Sequence, residues 1–298
     1  MRARFTPLDF ALYAGVILTW GFTWIALHFQ VGAVAPEVSV AWRFLIAGPI
    51  MLAIGVARGE RLGFPLSDHG VFAALGLFMF CTNFTLFYYA AGMLASGLLS
   101  VVFSLSSVIN VVLGALVLRN PVDARVAVGA CLGSLGVALM FYPEFAHMEL
   151  GGQAMLGLAF CIGGTLSFCF GSMVSARMQK RGLPVFATAG YGMLYGAALL
   201  AVFAFARGKA FAIDLNPLYL GGLIYLALIG SVAAFACYLI LLGRVGADRA
   251  AYSTVVIPVV ALLVSTALEG YRWTIPAILG LIAVLAGNVL VLRNPGKR

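Results

Sequence analysis

Residues 94–118 read LASGLLSVVFSLSSVINVVLGALVL, 25 consecutive residues without a charged side chain. A helix that crosses a bilayer needs about 20 mostly apolar residues, so this stretch is long enough to span a membrane. Ser100, Ser104 and Ser107 are spaced i, i+4 and i+7, which places them on one helix face, and Asn110 extends the same stripe. The stretch therefore predicts a membrane-spanning helix with a polar seam.

The composition of the whole chain also indicates a membrane protein. The 298 residues are 63% hydrophobic and 9% charged, and their mean hydropathy is +1.07. A soluble domain carries about 25% charged residues, so we expect lipid to surround this chain. We predict an all-α integral membrane protein with ten transmembrane helices. The predicted spans are roughly residues 8–28, 38–57, 70–91, 95–118, 124–141, 153–175, 185–206, 218–242, 249–268 and 275–292.

The net charge of +8 is distributed unevenly between the loops. Fourteen Lys and Arg residues fall at the termini and in every second loop, three fall in the other loops, and Arg43 lies within a span. This is the positive-inside pattern, and it predicts that both termini are cytoplasmic. We therefore expect contacts with anionic membrane lipids and no nucleic-acid partner. The sequence leaves the oligomeric state open.

The five cysteines all lie in apolar spans, at positions 81, 131, 161, 169 and 237. None has a histidine neighbour at metal-ligand spacing, so we interpret them as small packing residues. The sequence predicts no metal site and no cofactor.

Sequence similarities between the two halves indicate a duplication. Gly92, Gly129 and Gly136 recur 151 residues later as Gly243, Gly280 and Gly287, and the tripeptide ARG occurs at 57–59 and at 206–208. We predict two repeats, residues 1–149 and 150–298. Because each repeat holds five spans, the second enters the membrane from the opposite side. Inverted repeats typically surround a substrate site at the midplane of a secondary transporter, although a duplication can also serve assembly of the bundle alone.

At the same offset, the polar seam of the first half corresponds to a proline in the second. Ser107 matches Pro258, which removes the helical hydrogen bond to the carbonyl of Thr254. A polar stripe opposite an interrupted helix predicts a binding site for a polar solute at these positions. The alternatives are that each serine bonds to its own helix or permits close packing, and that the proline serves no ligand.

Other polar and aromatic side chains at mid-span depth complete the candidate lining. Trp20 is too deep for the interfacial aromatic belt, and Asn83 places an amide in the middle of the third span. The remaining candidates are Tyr88, Phe103, Phe168 and Tyr252. For each aromatic residue, packing within the core is the alternative to contact with substrate.

The charged residues constrain the mechanism. All ten Asp and Glu residues lie at span ends or in loops, whereas proton- or sodium-coupled carriers usually keep a carboxylate within the membrane. We therefore expect transport down the gradient of the solute. Arg43 lies about five residues below the outer surface, where it would attract a substrate carboxylate. Snorkelling of its side chain to the outer interface is the alternative, and the sequence alone favours it.

Three motifs carry a family resemblance over essentially the whole chain: TWGFTWIALHF at 19–29, AWRFLIAGPIML at 41–52 and PVVALLVSTALEG at 258–270. With ten spans arranged as five plus five, the chain resembles the EamA-type branch of the drug/metabolite transporter superfamily. The resemblance implies export of amino acids, related metabolites or drugs across the bacterial inner membrane by alternating access. The aromatic-rich detail is similar to the YddG-type amino-acid exporters.

In that family the cavity draws on helices one, three, four, six, eight and nine. The resemblance thus assigns to the lining Trp20, Asn83, the Ser104/Ser107 stripe, Phe168 and the segment 252–258. The sequence departs from the family pattern in its first half, where Ser106 and Ser107 replace a proline and Arg119 replaces an acidic residue.

We therefore expect a facilitative exporter of neutral amino acids, aromatic ones included, or of related small metabolites. A multidrug exporter of lipophilic cations is the alternative within the same class, and an anionic cavity residue would favour it. An intramembrane enzyme would need a nucleophile beside a base, and no histidine or carboxylate lies at the depth of the serines. A channel would need a continuous polar pore, for which one stripe is too thin.

Overall fold

The structure is a computed structural model, and it describes residues 6–32, 34–106, 108–109, 113, 124–146, 152–245 and 253–292. Within these ranges the regular elements are helical and follow the order of the predicted spans. They are α1 (Pro7–His28), α2 (Pro36–Ala57), α3 (Leu66–Ala91), α4 (Ser96–Ser104), α5 (Ala124–Ala146), α6 (Gln153–Lys180), α7 (Val185–Ala206), α8 (Pro217–Ile224, Tyr225–Ala233 and Ala234–Val245), α9 (Ser253–Leu268) and α10 (Ile275–Leu292).

The lengths, hydropathy and exposed faces of these helices fit a bilayer. Six of them (α1, α2, α3, α6, α7 and α8) include 22 to 28 residues apolar enough to cross a membrane, and α5, α9 and α10 contain shorter apolar stretches. Large apolar side chains such as Leu135, Val202 and Leu263 are more than half exposed on the outer faces of their helices. Lipid would cover these side chains, whereas water would make them costly. The predicted all-α membrane fold is confirmed.

The helices extend beyond some predicted spans because hydropathy marks only the apolar part of a helix. For example, α6 continues from the predicted end at 175 to Lys180, and its last turn carries Arg177 and Lys180. Cationic side chains interact favourably with the carbonyl end of a helix, so this turn remains helical after the apolar pattern stops.

Two helices contain an unpredicted π-helical segment. In α3 the segment covers Gly76–Thr82, and in α8 it covers Tyr225–Ala233. The two segments occupy corresponding positions, about 150 residues apart, in the third helix of each predicted repeat. Single π-helical turns inside α-helices occur frequently at functional sites. The sequence predicted continuous spans here because π- and α-helical turns can be equally apolar.

Helices that correspond in the two halves pack against each other, as the pairs α2–α7, α4–α9 and α5–α10 show. At the α5–α10 contact, a Cβ atom on Gly136 would lie 2.6 Å from the carbonyl oxygen of Gly280, and one on Gly287 would lie 2.5 Å from that of Gly129. Residue numbers rise along one helix as they fall along the other, so the two helices run antiparallel. Such a reciprocal contact is the kind that a twofold axis generates.

Pairs of glycines spaced four residues apart lie at two close helix contacts. In α5, Gly129 and Gly133 face Gly287 of α10. In α7, Gly192 and Gly196 face Gly76, where an added Cβ would lie 2.7 Å from the Gly196 nitrogen. The absence of side chains lets the backbones approach closely, as in other membrane helix pairs.

The two ARG tripeptides end corresponding helices with the same backbone turn. Gly59 follows α2 with φ of 78°, and Gly208 follows α7 with φ of 64°. The N–H groups of Glu60 and Lys209 then donate to Gly55 and Ala204 carbonyls, each at 2.9 Å. Glycine adopts this left-handed conformation at little cost, which explains its place in both tripeptides.

Ion pairs at the helix ends join the first half of the chain to the second. At one end of the bundle, Arg244 bonds to Asp9 and Arg181 bonds to Asp68, both at 2.6 Å. At the opposite end, Arg207 bonds to Glu37 at 3.2 Å.

Two carboxylates at the same ends cap helices of the other half. Glu60 accepts from the Ala187 nitrogen at the start of α7, at 2.8 Å. Glu269 accepts from the Ser96 nitrogen at the start of α4, at 3.1 Å. Carboxylates stabilise helix N-termini because the first amide groups there have no partner within the helix. These contacts lie at the two ends of the bundle, and the cavity lies between them.

A central aromatic cavity as candidate substrate site

A cavity of about 60 Å³ lies where seven helices meet, with space for a few water molecules. Both halves of the chain contribute to it: α1 to α4 from the first half, and α6, α8 and α9 from the second. It is lined by Trp20, Thr23, Trp24, Leu27, Arg43, Asn83, Phe84, Phe87, Phe103, Phe168, Gly230, Phe235 and Ile257.

Aromatic rings form most of the wall and pack edge to face. Trp24 lies 5.1 Å from Phe87 and 5.6 Å from Phe103, measured between ring centroids. Phe103 in turn packs against Phe168, with ring centroids 4.8 Å apart and an interplanar angle of 65°. Edge contacts between rings are worth about 0.5–1.5 kcal/mol each beyond their buried area, so they help to order this wall.

Arg43 is the charged side chain of the cavity, and it is 1% exposed. Its Nε donates to the hydroxyl of Ser231 at 2.9 Å, and its guanidinium lies 4.4 Å above the ring centroid of Phe84. Its Nη1 is buried without a hydrogen-bond partner. The expectation that Arg43 snorkels to the outer interface is wrong, because the side chain turns inward against α3 and α8.

The π-helical segment of α8 supplies the partner of Arg43. Ser231 is fully buried, and its hydroxyl donates to the Leu226 carbonyl at 2.9 Å, five residues back in the chain. This bond fixes the hydroxyl so that its oxygen faces the Arg43 Nε. The local widening of α8 therefore positions the arginine in the cavity.

Asn83 is the second polar lining residue with a buried atom that has no hydrogen-bond partner. It directly follows the π-helical segment of α3 and is 3% exposed. Its Nδ2 donates to the Met79 carbonyl at 3.1 Å, whereas its Oδ1 is buried without a partner.

The other polar groups of the cavity wall already have partners. The indole N–H of Trp20 donates to the Gly230 carbonyl at 3.3 Å, and the Thr23 hydroxyl donates to the Thr19 carbonyl at 2.8 Å. Among the described lining side chains, the unused buried atoms are thus one donor, Nη1 of Arg43, and one acceptor, Oδ1 of Asn83.

Four of the predicted site residues lie in this lining: Trp20, Asn83, Phe103 and Phe168. Arg43, predicted with two alternatives, also lies there. Their position is consistent with contact to a substrate, and that role stays a prediction.

Three other predicted residues lie outside the lining. The Tyr88 hydroxyl donates to Gln30 Oε1 at 3.1 Å. The Ser104 hydroxyl donates to the Val101 carbonyl at 2.7 Å and accepts from Asn288 of α10 at 3.1 Å. Pro258 is buried inside α9, and its neighbour Ile257 reaches the cavity instead. The hydroxyls of Tyr88 and Ser104 thus bond to other residues of the bundle in this structure.

The remaining predictions fall outside the described residues. They concern Ser107, Tyr252 and the side chain of Thr254. The idea that α4 and α9 supply the polar groups of the cavity needs correction for the part that is described. There, α4 contributes Phe103 and α9 contributes Ile257, whereas the polar groups come from α1, α2, α3 and α8.

Sequence reasoning missed several lining residues, chiefly Trp24, Phe84, Phe87 and Phe235. Phe84 and Phe87 lie one and four residues after Asn83, so the helical period alone would have placed Phe87 on the same face as Asn83. The chain has 22 phenylalanines, and four of the ten predicted spans contain two or more. Without a polar neighbour to mark the face, lining and lipid-facing rings have the same sequence pattern.

Fold and cavity together define a helical membrane protein in which both halves of the chain line an aromatic-walled cavity. Two polar lining residues have buried atoms without a hydrogen-bond partner. The comparisons with known proteins narrow this class. The chain belongs to the EamA-like transporter family, whose model matches residues 10–142 and again residues 155–293.

Individual relatives agree with the family assignment. The chain is 24% identical to an uncharacterized transporter of Archaeoglobus fulgidus, covering 92% of this chain and 95% of that protein. It is 29% identical to the uncharacterized inner membrane transporter YedA of Escherichia coli, covering 91% and 86%. A crystal structure superposes with a TM-score of 0.69 at 19% identity over 95% of both chains, which shows a shared fold. The chain is therefore a multi-span transporter and not an enzyme, as the sequence predicted.

Proposed function

We propose that the protein is an inner-membrane secondary transporter that exports neutral amino acids, aromatic ones included, or closely related metabolites by alternating access. The relative YedA is described as an inner membrane transporter, which supports the proposed location of this protein. The observation that carries the substrate class is the buried guanidinium of Arg43 in an aromatic-walled cavity. A guanidinium binds a carboxylate strongly, and the rings accommodate an apolar or aromatic side chain.

The same observation weighs against the alternative of a multidrug exporter for lipophilic cations. A cation entering the cavity would meet the positive charge of Arg43 at close range and in a medium of low dielectric constant. The described lining contains no Asp or Glu side chain that would offset this repulsion.

Alternating access is supported by the arrangement of the halves. A space of about 60 Å³ is too small for a phenylalanine, so the helices around it must separate to admit such a substrate. Ion pairs between the halves lie at both ends of the bundle and can break one end at a time. The two family matches, one in each half, support the proposed division into repeats 1–149 and 150–298.

We also propose that transport is not coupled to protons or sodium. Among the described residues, the buried carboxylates Asp9, Glu37 and Asp68 lie in the first turns of their helices and bond to arginines. In the part of the chain that is described, no carboxylate lines the cavity and could bind a coupling ion there.

The test is counterflow in proteoliposomes made with the purified protein. Vesicles loaded with unlabelled phenylalanine are expected to accumulate labelled phenylalanine, unlabelled neutral amino acids to compete, and ethidium not to compete. With substrate gradients fixed, imposed pH and sodium gradients should leave the rate unchanged. Competition by lipophilic cations instead of amino acids would refute the substrate class, and a rate that follows the pH gradient would refute the uncoupled mechanism.

Arg43→Gln tests the residue that carries the proposal, with Arg58→Gln, at the end of the same helix, as the matched control. A hydrogen bond to a charged group is worth about 1.5–3 kcal/mol, so Arg43→Gln should lower phenylalanine transport at least about tenfold. Arg58→Gln should leave the rate near that of the parent. Equal rates in both variants would show that Arg43 does not bind the substrate.

A further inference from the structure

We propose that Arg43 and Asn83 together form a two-point receptor for the carboxylate and the ammonium of a free α-amino acid. This inference rests on the proposed function and sharpens it, because it separates amino acids from simple carboxylates, amines and amides. It is carried by two buried atoms without a hydrogen-bond partner on residues that line the cavity, Nη1 of Arg43 and Oδ1 of Asn83.

The first point of the receptor follows from charge. Arg43 has neutral partners, the hydroxyls of Ser231 and Tyr88, and none of the ion pairs among the described residues involves it. A buried charge without a counterion is costly, and the cost is relieved when a ligand supplies the opposite charge. Because Nη1 can only donate, the ligand group facing it must be an acceptor. A carboxylate satisfies both conditions.

The second point follows from the opposite chemistry of Asn83. Its Nδ2 is held by the Met79 carbonyl, which fixes the amide orientation and leaves Oδ1 free. An amide oxygen can only accept, so the ligand group facing it must donate a hydrogen bond. A buried acceptor without a hydrogen bond is costly, and a bound donor would recover part of that cost.

The two residues line the same cavity. Phe84, which follows Asn83 in the chain, also lines it, and its ring centroid lies 4.4 Å from the guanidinium of Arg43. A ligand that reaches both atoms must therefore carry its acceptor and donor near each other, as an α-amino acid does. The surrounding rings favour an ammonium as the donor over a hydroxyl, because ring faces attract cations.

Competition in wild-type proteoliposomes tests this receptor without any mutation. Labelled phenylalanine counterflow is measured against unlabelled phenylalanine, 3-phenyllactate, 3-phenylpropionate and phenethylamine, which share the ring and differ in the two polar groups. We expect phenylalanine to compete best, phenyllactate less well, and the two single-group compounds at least about tenfold more weakly than phenylalanine. Equal competition by 3-phenylpropionate or phenethylamine would overturn the two-point receptor.

Asn83→Leu then tests the second point, with Asn288→Leu as the control at a buried asparagine outside the cavity. Asn83→Leu should raise the KM for phenylalanine about tenfold while the inhibition constant of 3-phenylpropionate stays unchanged. Asn288→Leu should preserve the wild-type ratio of the two constants. An unchanged ratio in Asn83→Leu would refute the role of Asn83.

The two levels of the hypothesis fail in different ways. If wild-type protein carries no amino acid, the proposed function fails. If it carries phenylalanine but does not distinguish it from 3-phenylpropionate, the proposed function stands and the receptor fails.

Discussion

At the residue scale, the cavity depends on a buried arginine held by a neutral hydroxyl. Ser231 accepts from Arg43 Nε and donates to the Leu226 carbonyl, so its oxygen fixes the guanidinium without neutralising it. A carboxylate in place of Ser231 would form a permanent ion pair and occupy the charge that the proposed substrate requires. The neutral partner is therefore consistent with a binding role for Arg43.

Ser231→Ala should destabilise the protein and weaken substrate binding together. The change leaves the Arg43 Nε without its acceptor, which costs about 1–3 kcal/mol for a buried donor. We expect a lower melting temperature in detergent and a KM for phenylalanine raised several-fold.

The control for this substitution is Ser265→Ala. Ser265 is equally buried, but its hydroxyl has no hydrogen-bond partner, so its loss should change neither quantity appreciably. If both variants behave alike, the Ser231 hydroxyl does not position Arg43.

Part of the site was predictable from residue type and depth. Trp20 and Asn83 were identified because a large indole and an amide are unusual at mid-span. The direction of Arg43 was not, since its long side chain can reach either the interface or the interior from the same Cα position. Contacts with α3 and α8 decide between them, and the residues concerned, Phe84 and Ser231, lie 41 and 188 residues away in the sequence.

At the scale of the elements, the two π-helical segments explain how polar groups reach the cavity. Asn83 follows the segment of α3, and Gly230 and Ser231 lie within that of α8. The hydropathy pattern predicted both helices and most of their lengths but not these segments. An i to i+5 turn changes the angular position of every later residue, and the apolar composition of the span does not record it.

The antiparallel contact of α5 and α10 should be sensitive to a single methyl group. In Gly136→Ala the new Cβ would lie 2.6 Å from the Gly280 carbonyl oxygen and 2.7 Å from the Val284 nitrogen. Since these are backbone atoms, the helices must move apart, and overpacking of this kind costs about 1–3 kcal/mol. We expect a clearly lower melting temperature in detergent.

Gly221→Ala in α8 is the matched control, because nothing lies within 4 Å of the position an added Cβ would take. Alanine has the higher helix propensity, so this variant should melt at or slightly above the temperature of the parent. Equal melting of the two variants would contradict the close packing of α5 against α10.

At the scale of the whole molecule, ion pairs join the two halves at the ends of the bundle, and aromatic rings pack together at its centre. Each ion pair between Arg and a carboxylate joins the first half to the second, and so do the carboxylate caps of α4 and α7. The contacts that would break in the proposed alternating access are thus polar, and water can replace them. The contacts that hold each helix pair together are close-packed and apolar.

Reporter fusions can check the orientation of this bundle. The distribution of basic residues predicts cytoplasmic termini, so alkaline phosphatase fused after Arg298 should be inactive and green fluorescent protein fused there should fluoresce. Alkaline phosphatase inserted after Lys209, in the loop between α7 and α8, should be active. The reverse pattern would show that the chain is inserted the other way.

The sequence by itself determined the lipid environment and the number and order of the spans. These follow from hydropathy and span length, which are properties of local sequence. The tertiary structure alone decided that Ser104 faces α10, that Arg43 turns inward and that the side-chain oxygen of Asn83 is buried without a partner. Which way a side chain points depends on the rotation of its helix and on partners far away in the chain, and no local pattern encodes these.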